Sequence, residues 1–389
     1  MSNFDSTSNA PADHLAPVYA QFPLQITDAR GVFLHKPDGG KVLDLYGGHA
    51  VAALGYGHPR WLEALTSQAQ SLCFQSNAVA LDVRKRAATK LAKFCGLGLD
   101  TVFFVNSGAE ANENALKLAF KMTGGTQVLA VEGSFHGRTA AAGAVTWGAD
   151  KKWYGFPRTP FDVQFIKPTA TASELATLIN DQTAAVIVEP VQGVAGAVDL
   201  PKEFLQALRF RCSENGTVLI FDEVQCGFGR TGHPFAANLY EVTPDIITTA
   251  KALGGGFPVS AMLVADHVAP YLKMDSLGTT FGGGPMACAI VEAVIDIIES
   301  EGLLRNVQQR SVEIREKCVV GPVVGTQGAG LLLGLRTSRP AKDVQAELLK
   351  LNILTGTSAD PNVLRILAPF VLESEHVELL RSALASLPR

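Results

Sequence analysis

The stretch VLIFDEVQC (Val218–Cys226) decides the fold class together with IITTAKALGGG (Ile246–Gly256). Each begins with a short, mostly apolar run, which is typical of a strand buried on both faces of a parallel sheet. The first run is followed by Asp222 and the second, one residue later, by Lys251. Ligands of open α/β sheets bind beyond the carboxyl ends of the strands, so these two side chains are the first candidates for a functional site.

Similar runs recur through the middle of the chain, and stretches of helix length separate several of them. The alternation predicts an α/β fold with a large, mainly parallel sheet covered on both faces by helices. The predicted strands are Val102–Val105, Val128–Val131, Ala185–Val188, Val218–Phe221, Ile246–Thr249 and Met262–Val264, and two of the predicted helices are Ala109–Met122 and Lys202–Glu214.

The pattern changes after the glycine-rich stretch Gly278–Gly284, which predicts a second, smaller α+β domain over residues 286–389. The large domain is expected over residues 59–285. Residues 15–58 are expected to join the small domain, and residues 1–14 to form a mobile tail. The elements predicted outside the large domain are strands within Gly31–Asp44, Gly325–Arg336 and Val363–Ala368, a helix over Ala287–Ile298, and a C-terminal helix over Glu375–Leu387 capped by Ser374.

Composition excludes several classes of protein. The 33 basic and 37 acidic residues give a net charge of −4, which offers no electrostatic footprint for nucleic acid or an anionic membrane. Neither a signal peptide nor a membrane-spanning run is apparent. The six cysteines form no CxxC pair, so we expect buried thiols of a cytoplasmic enzyme, with no disulfide framework and no metal site.

The segment Asn106-Ser107-Gly108-Ala109 follows a predicted strand and opens a helix. Free N–H groups and the helix dipole favour a phosphate there, and Gly108 lets the backbone approach closely. The segment matches neither the Walker loop nor GxGxxG, which argues against a nucleotide or dinucleotide. Asn-Ser-Gly by itself is most often only a turn with a helix cap.

Four side-chain types at strand ends become informative together. Phe135 can stack on a flat ring, and Arg138 offers a charged fork for a carboxylate. Asp222 can pair with a ring nitrogen, and a desolvated Lys251 can form an imine. The phosphate cradle, the stacking ring, the acid for a ring nitrogen and the lysine for an imine are the four groups that pyridoxal phosphate needs from a protein.

At this point the chain resembles the class III (ornithine-type) pyridoxal-phosphate-dependent aminotransferases of fold type I. Asp222 stands 29 residues before Lys251, in the family's spacing. Within the family, the chain looks most like acetylornithine and succinylornithine aminotransferases. The matching motifs are NSGAEANENALKLA from Asn106, FHGRT from Phe135, EPVQG from Glu189, LIFDEVQCGFGRTG from Leu219, TTAKALGGGFP from Thr248, GTTFGG from Gly278 and ILTGTSADPNVLRILAPFVL from Ile353.

The resemblance implies two catalytic residues: Lys251, which would hold pyridoxal phosphate as a Schiff base, and Asp222, which would pair with the pyridinium nitrogen. It also implies cofactor contacts from Val224 and Gln225 at the ring, Phe135 on the opposite ring face, Ser107, Gly108 and Ala109 at the phosphate, and Thr280 at the phosphate of the other subunit of a homodimer.

Substrate contacts are implied by the same resemblance. Arg138 would bind the α-carboxylate of acetylornithine, and Arg365 the carboxylate of glutamate or 2-oxoglutarate. Thr279 and Tyr19 are matched to further substrate contacts. One departure concerns Val194, because many relatives have there a glutamate that neutralises the arginine matched by Arg365.

The predicted reaction is transfer of the δ-amino group of N-acetylornithine to 2-oxoglutarate, a step of arginine biosynthesis. Other ω-amine donors remain open, namely succinylornithine, ornithine, 4-aminobutyrate or a carrier-bound aminoadipate semialdehyde, because substrate choice lies in the pocket and not in the fold. A catalytically inactive binding or regulatory relative is the alternative from another class, and the presence of both Lys251 and Asp222 argues against it.

Overall fold

The computed structural model describes residues 14–152, 154–159 and 161–389. The predicted mobile tail therefore lies outside the described residues, His14 excepted. The strands are β1 (Asp28–Arg30), β2 (Phe33–His35), β3 (Lys41–Asp44), β4 (Thr101–Val105), β5 (Gln127–Val131), β6 (Asp162–Ile166), β7 (Thr183–Val188), β8 (Val191–Gln192), β9 (Val198–Asp199), β10 (Val218–Asp222), β11 (Ile246–Thr249), β12 (Ser260–Val264), β13 (Val323–Ala329), β14 (Leu332–Thr337), β15 (Ile353–Leu354), β16 (Gly356–Thr357) and β17 (Val363–Ile366).

Helices alternate with these strands through the middle of the chain. Short 3₁₀ turns occur at Ala149–Lys151, Lys251–Gly254 and Ala269–Tyr271. The helices are α1 (Gly47–Ala50), α2 (Pro59–Ser71), α3 (Asp82–Cys95), α4 (Gly108–Thr123), α5 (Ala140–Ala144), α6 (Ala172–Leu178), α7 (Gly193–Gly196), α8 (Lys202–Asn215), α9 (Ala236–Tyr240), α10 (Pro285–Ser300), α11 (Leu303–Lys317), α12 (Ala341–Lys350) and α13 (Ser374–Ser386).

The central layer is a seven-stranded sheet in the order β4-β12-β11-β10-β7-β5-β6. Strand β12 runs antiparallel to both of its neighbours, and the remaining pairs are parallel. The prediction of a large, mainly parallel sheet is thus confirmed. Strands β7, β10, β11 and β12 are buried along their whole length, as expected for strands covered on both faces.

Two smaller sheets are built from the ends of the chain. The N-terminal strands β1, β2 and β3 form an antiparallel sheet that β15 joins in parallel. Strands β13, β14, β17 and β16 form a second antiparallel sheet. Because β3 pairs with β15, the N-terminal segment lies with the C-terminal part of the chain. The domain boundaries given above stay predictions.

Two details of the sequence interpretation need correction. The N-cap of helix α13 is Glu373, whose backbone N–H donates to His376 Nδ1 at 2.9 Å, and not Ser374, which is the first helical residue and whose hydroxyl donates to Glu313. Strand β6 (DVQFI) was missed, because it lies at the edge of the sheet, is only partly buried, and is not the continuous apolar run from which the other strands were predicted. In the part of the chain that the structure describes, no helix is long and apolar enough to span a membrane.

Candidate active site

A cavity of about 1240 Å³ opens at the carboxyl ends of the central strands. Strands β10 and β11 are parallel neighbours with Asp222 opposite Thr248, so the residues after them face the same edge of the sheet. Asp222 and Lys251, which follow these two strands, therefore line one cavity. The predicted site residues that line it are Tyr19, Ser107, Gly108, Ala109, Phe135, Arg138, Asp222, Val224, Gln225, Lys251 and Arg365.

Asp222 is the last residue of β10, and its buried carboxylate is held by three donors. The Asn112 amide nitrogen and His136 Nδ1 each lie 2.7 Å from Oδ2. The backbone N–H of Val224 donates to Oδ1 at 3.0 Å. An ionised carboxylate is acceptor-only, so His136 carries its proton on Nδ1 in this arrangement. The carboxylate is thus fixed in position before any ligand arrives.

Lys251 lines the same cavity and has a strained backbone. Its backbone has φ +49°, a left-handed conformation that side chains other than glycine adopt at a cost. Among the described residues, no hydrogen bond or ion pair is formed by its amine. Burial lowers the pKa of the Lys251 amine, while the nearby charges of Asp222 and Glu189 act in the opposite direction. A lysine with a lowered pKa is suited to nucleophilic chemistry.

The start of α4 forms a narrow cradle. The Ser107 hydroxyl accepts the N–H of Glu110 and caps the helix. Gly108 packs so tightly on Val224 that a Cβ at this position would lie 2.6 Å from its Cγ1. The Val224 side chain is therefore fixed between the helix start and the cavity. Glycine is needed here because of this close approach and not because of an unusual φ.

A second buried carboxylate lies beside Asp222. Glu189 accepts the backbone N–H of Phe135 at 2.7 Å and that of Gly193 at 3.2 Å. Burial raises the pKa of Glu189 to about 7, with Asp222 adding to the rise. On the same wall, the amide oxygen of Gln225 is buried without a hydrogen-bond partner among the described residues.

Arg138 lies among aromatic rings towards the opening. Its guanidinium donates to the Tyr19 hydroxyl at 3.3 Å and is 5.6 Å from the Tyr154 ring centre and 5.7 Å from that of Phe135. No ion pair of Arg138 with an acid occurs among the described residues. Its charge is therefore available to a ligand carboxylate.

Arg365 is buried on β17, and among the described residues only backbone carbonyls accept hydrogen bonds from its side chain. Nε donates to Thr357 O at 2.7 Å and Nη1 to Gly193 O at 3.1 Å. Burial lowers the pKa of the Arg365 guanidinium. Val194, which stands where many relatives have a glutamate, lines the cavity. No acid from elsewhere in the described chain forms an ion pair with Arg365 in its place.

Two of the predicted site residues, Thr279 and Thr280, do not line the cavity of the single chain. Thr279 receives a hydrogen bond on its hydroxyl from Asn106 at 3.1 Å but does not line the cavity. Thr280 is exposed on the surface. Their proposed roles, in substrate binding and at a second subunit, stay predictions.

Sequence reasoning missed four residues of the site, and three had a usable signal. Glu189 follows a strand as Asp222 does, and Asn112 lies one helical turn beyond Gly108. His49 follows two glycines, and the turn Gly47–Ala50 that carries it has four consecutive φ values between 55° and 68°. Nothing in the sequence distinguished His136 from an ordinary histidine of the core.

The family follows from a comparison of the whole chain with known proteins. The model of the family described as aminotransferase class III matches residues 15–387. This chain belongs to the class III aminotransferases. It is therefore an aminotransferase whose cofactor is pyridoxal phosphate, and the sequence-based prediction of family and cofactor is confirmed.

Similar proteins cover nearly the full length. The acetylornithine aminotransferase of Streptomyces coelicolor is 40% identical, over 93% of this chain and 90% of its own. That of Methanocaldococcus jannaschii is 36% identical, with 94% of both chains covered. Among solved structures, the ornithine aminotransferase of Toxoplasma gondii superposes with a TM-score of 0.89 at 28% identity, covering 96% of this chain and 91% of that one.

The residues present fit this cofactor. Gly108 and Ser107 open a helix, which suits a phosphate, and the walls at Val224 and Phe135 suit a flat ring. The unpartnered amide oxygen of Gln225 and the unpartnered amine of Lys251 face the same cavity. The buried carboxyl group of Asp222 suits a protonated ring nitrogen.

Proposed function

We propose that the protein is an acetylornithine aminotransferase, which moves the δ-amino group of N-acetylornithine to 2-oxoglutarate and yields N-acetylglutamate semialdehyde and glutamate. The observation that carries the proposal is that Arg138 and Arg365, two arginines without an acid partner in the described chain, line the cavity of Lys251 and Asp222. A substrate pair that presents carboxylates in both half-reactions fits this arrangement. The choice of acetyl as the acyl group on ornithine is supported by the similar enzymes, which are named acetylornithine aminotransferases.

Lys251 has two roles in the proposal. With pyridoxal phosphate bound, its amine would hold the cofactor between turnovers. While not bound to the cofactor, the same amine would act as general base and acid for the proton that the reaction moves. The lowered pKa of Lys251 favours the neutral form that both roles require.

Asp222 has an electrostatic role. Pyridoxal phosphate, when bound, supplies an electron sink for the carbanion formed on proton removal. The carboxylate of Asp222 keeps the proton on the ring nitrogen, and its three hydrogen bonds keep it in place. Phe135 and Val224 confine the ring to one plane.

The two arginines divide the carboxylates between them. Arg138 holds the α-carboxylate of the donor, and its aromatic surroundings reduce competition from water. Arg365 takes the carboxylate next to the keto group of 2-oxoglutarate, and Arg138 takes the distal one. Thr279 and Tyr19 are proposed as further substrate contacts.

We also propose a homodimer in which Thr280 reaches the phosphate site of the second subunit. This is supported by the exposure of Thr280 and of Phe281 beside it, with Phe281 67% exposed in the single chain. A cytoplasmic location belongs to the same proposal, supported by six free cysteines of which five are buried.

A donor panel tests the function. The purified enzyme with 2-oxoglutarate is offered acetylornithine, succinylornithine, ornithine, 4-aminobutyrate and acetyl-lysine, and glutamate is measured. We expect the largest kcat/KM for acetylornithine and parallel double-reciprocal lines, because the first product leaves before the second substrate binds. A larger kcat/KM for another donor would move the assignment within the family, and intersecting lines would contradict the two half-reactions.

A further inference from the structure

Asn112 donates one of the three hydrogen bonds to Asp222, and its other two contacts have no part in the roles above. It lies on α4, one turn beyond Gly108, and is fully buried. Its amide nitrogen donates to Asp222 Oδ2 and to the backbone carbonyl of His136, both at 2.7 Å. Its amide oxygen accepts the hydroxyl of Thr248, also at 2.7 Å. The side chain thus joins α4, β10, β11 and the loop after β5.

The orientation of this amide follows from its partners. A carboxylate and a carbonyl can only accept, so the side of Asn112 that faces Asp222 and the His136 carbonyl must be the NH₂ group. The Thr248 hydroxyl then has the amide oxygen as its acceptor. A reversed amide would place oxygen against oxygen at both acceptors. The hydroxyl of Thr248 therefore acts on Asp222 through Asn112.

The donors around Asp222 also determine which lone pair remains for a ligand. Each carboxylate oxygen accepts about two hydrogen bonds. Oδ2 receives Asn112 and His136, and Oδ1 receives only the N–H of Val224. One acceptor position on Oδ1 is left, and it is the position to which a protonated ring nitrogen can bind.

A purely structural role for Asn112 accounts less well for these contacts. Asn114, two residues further on the same helix, is also buried, but its amide donates to the carbonyl of Glu110 in its own helix. Packing alone requires no polar group at position 112, and a buried amide that failed to find partners would be costly. All three hydrogen bonds of Asn112 instead go to other elements, and one ends on the carboxylate of the site.

We propose that Asn112 is a positioning residue for the cofactor ring: locked by Thr248, it fixes Asp222 so that only Oδ1 is free to meet the ring nitrogen. The inference rests on the proposed role of Asp222. It adds a requirement that the role alone does not carry, namely that the pair Thr248 and Asn112 acts as one unit.

The experiment uses the full-length enzyme and four variants: Asn112→Leu, Thr248→Val, Thr248→Ser and the double variant of the first two. Leucine has the same branched arrangement of four side-chain heavy atoms as asparagine and lacks both amide groups, and serine keeps the hydroxyl that valine removes. Asn114→Leu is the matched control on the same helix. Each protein is stripped of cofactor, titrated with pyridoxal phosphate to obtain Kd, reloaded, and assayed for kcat and both KM values.

We expect Asn112→Leu to raise the Kd for pyridoxal phosphate and lower kcat by about tenfold or more each, because a hydrogen bond to a buried charge is lost. Both KM values should change by less than about twofold, since the arginines are untouched. Thr248→Val should show the same pattern with smaller changes, Thr248→Ser should match the wild type, and the double variant should be no worse than Asn112→Leu alone.

Three results would overturn the proposal: wild-type Kd and kcat in Asn112→Leu, equal behaviour of the valine and serine variants at position 248, or independent, multiplying effects in the double variant. If Asn112→Leu shows no cooperative melting, the comparison of Thr248→Val with Thr248→Ser tests the proposal alone.

The variant Asp222→Asn distinguishes the proposed role of Asp222 from its positioning by Asn112. Wild-type kcat and Kd in that variant would remove the role of Asp222 itself, whereas a defect there without one in the Thr248 and Asn112 variants removes only the positioning.

Discussion

The two ends of the cavity differ in how far the chain satisfies its own charges. At the cofactor end, three donors from three segments hold Asp222, and two backbone N–H groups hold Glu189. At the substrate end, Arg138 and Arg365 meet a tyrosine hydroxyl, aromatic rings and carbonyls but no acid in the described chain. In the proposed function, the cofactor would meet a frame that is already built, and the carboxylates of the substrates would meet positive charges that no acid of the described chain neutralises.

The largest effect is expected at the cofactor end, from Lys251→Ala. Because a positioned acid or base alone contributes about 10²- to 10⁴-fold, kcat should fall by at least that range. The visible absorbance of the lysine-bound cofactor should also disappear. The measurement is steady-state turnover with an absorbance spectrum, and Lys342→Ala, an exposed lysine on α12, is the control. Retained turnover in Lys251→Ala would contradict the assignment.

The cradle at the start of α4 gives the next effect. A methyl group at position 108 would meet Val224 at 2.6 Å, so Gly108→Ala forces the ring wall to move. Overpacking costs about 1–3 kcal/mol, so we expect the Kd for pyridoxal phosphate to rise roughly 5- to 150-fold. Gly143→Ala is the matched control, because its Cβ would come no closer than 3.5 Å to another residue. Equal Kd values for Gly108→Ala and Gly143→Ala would show that the contact between Gly108 and Val224 does not limit cofactor binding.

The substrate end should respond in KM more than in kcat. Arg138→Lys should raise KM for both substrates by about tenfold, since a point charge cannot reproduce a bidentate fork. Arg365→Lys should raise KM for 2-oxoglutarate and leave that for the donor near the wild-type value. The control is Arg336→Lys, exposed on the neighbouring strand β14. If the KM values for both substrates stay unchanged in Arg138→Lys, this arginine is not a carboxylate ligand.

Much of this arrangement could be read from the sequence, because strand ends in a parallel sheet share one edge. Asp222 and Lys251 were found in this way, and so was the helix start at Ser107 and Gly108. The position of a residue at a strand end predicts which edge of the sheet it lies on, but not which groups its side chain contacts. The sequence could not tell that carbonyls and no acid would hold Arg365, since its partners Gly193 and Thr357 are brought to it only by tertiary packing.

The errors have the same origin. Ser374 has the side chain of a typical helix cap, but Glu373 competes for the position and takes it, while the serine hydroxyl turns to a neighbouring helix. Asn112 lies one helical turn beyond Gly108, so its position could be noticed in the sequence, but the sequence does not give its hydrogen-bond partners. Its role emerges when β10, β11 and the loop after β5 come together around it.

The smallest effect concerns stability at the cofactor end. Burial raises the pKa of Glu223, the residue after Asp222, from 4.5 to about 8. The folded state then holds a proton that the unfolded state releases, so this stabilisation is complete below pH 4.5 and is lost as pH rises through about 8. Gln cannot titrate, so the variant Glu223→Gln does not lose this stabilisation. The difference between its Tm and that of the wild type should therefore increase by a few degrees as pH rises through this window. A Tm difference independent of pH would contradict the assigned pKa.

The central claim is that Lys251 alone holds the cofactor, in one cavity with Asp222. The most direct measurement is borohydride reduction of the loaded enzyme, which fixes the cofactor to its lysine, followed by proteolysis and mass spectrometry of the peptides. The account predicts the phosphopyridoxyl mass on the peptide that contains Lys251 and on no other. The same mass on a different lysine, or on none, would contradict it.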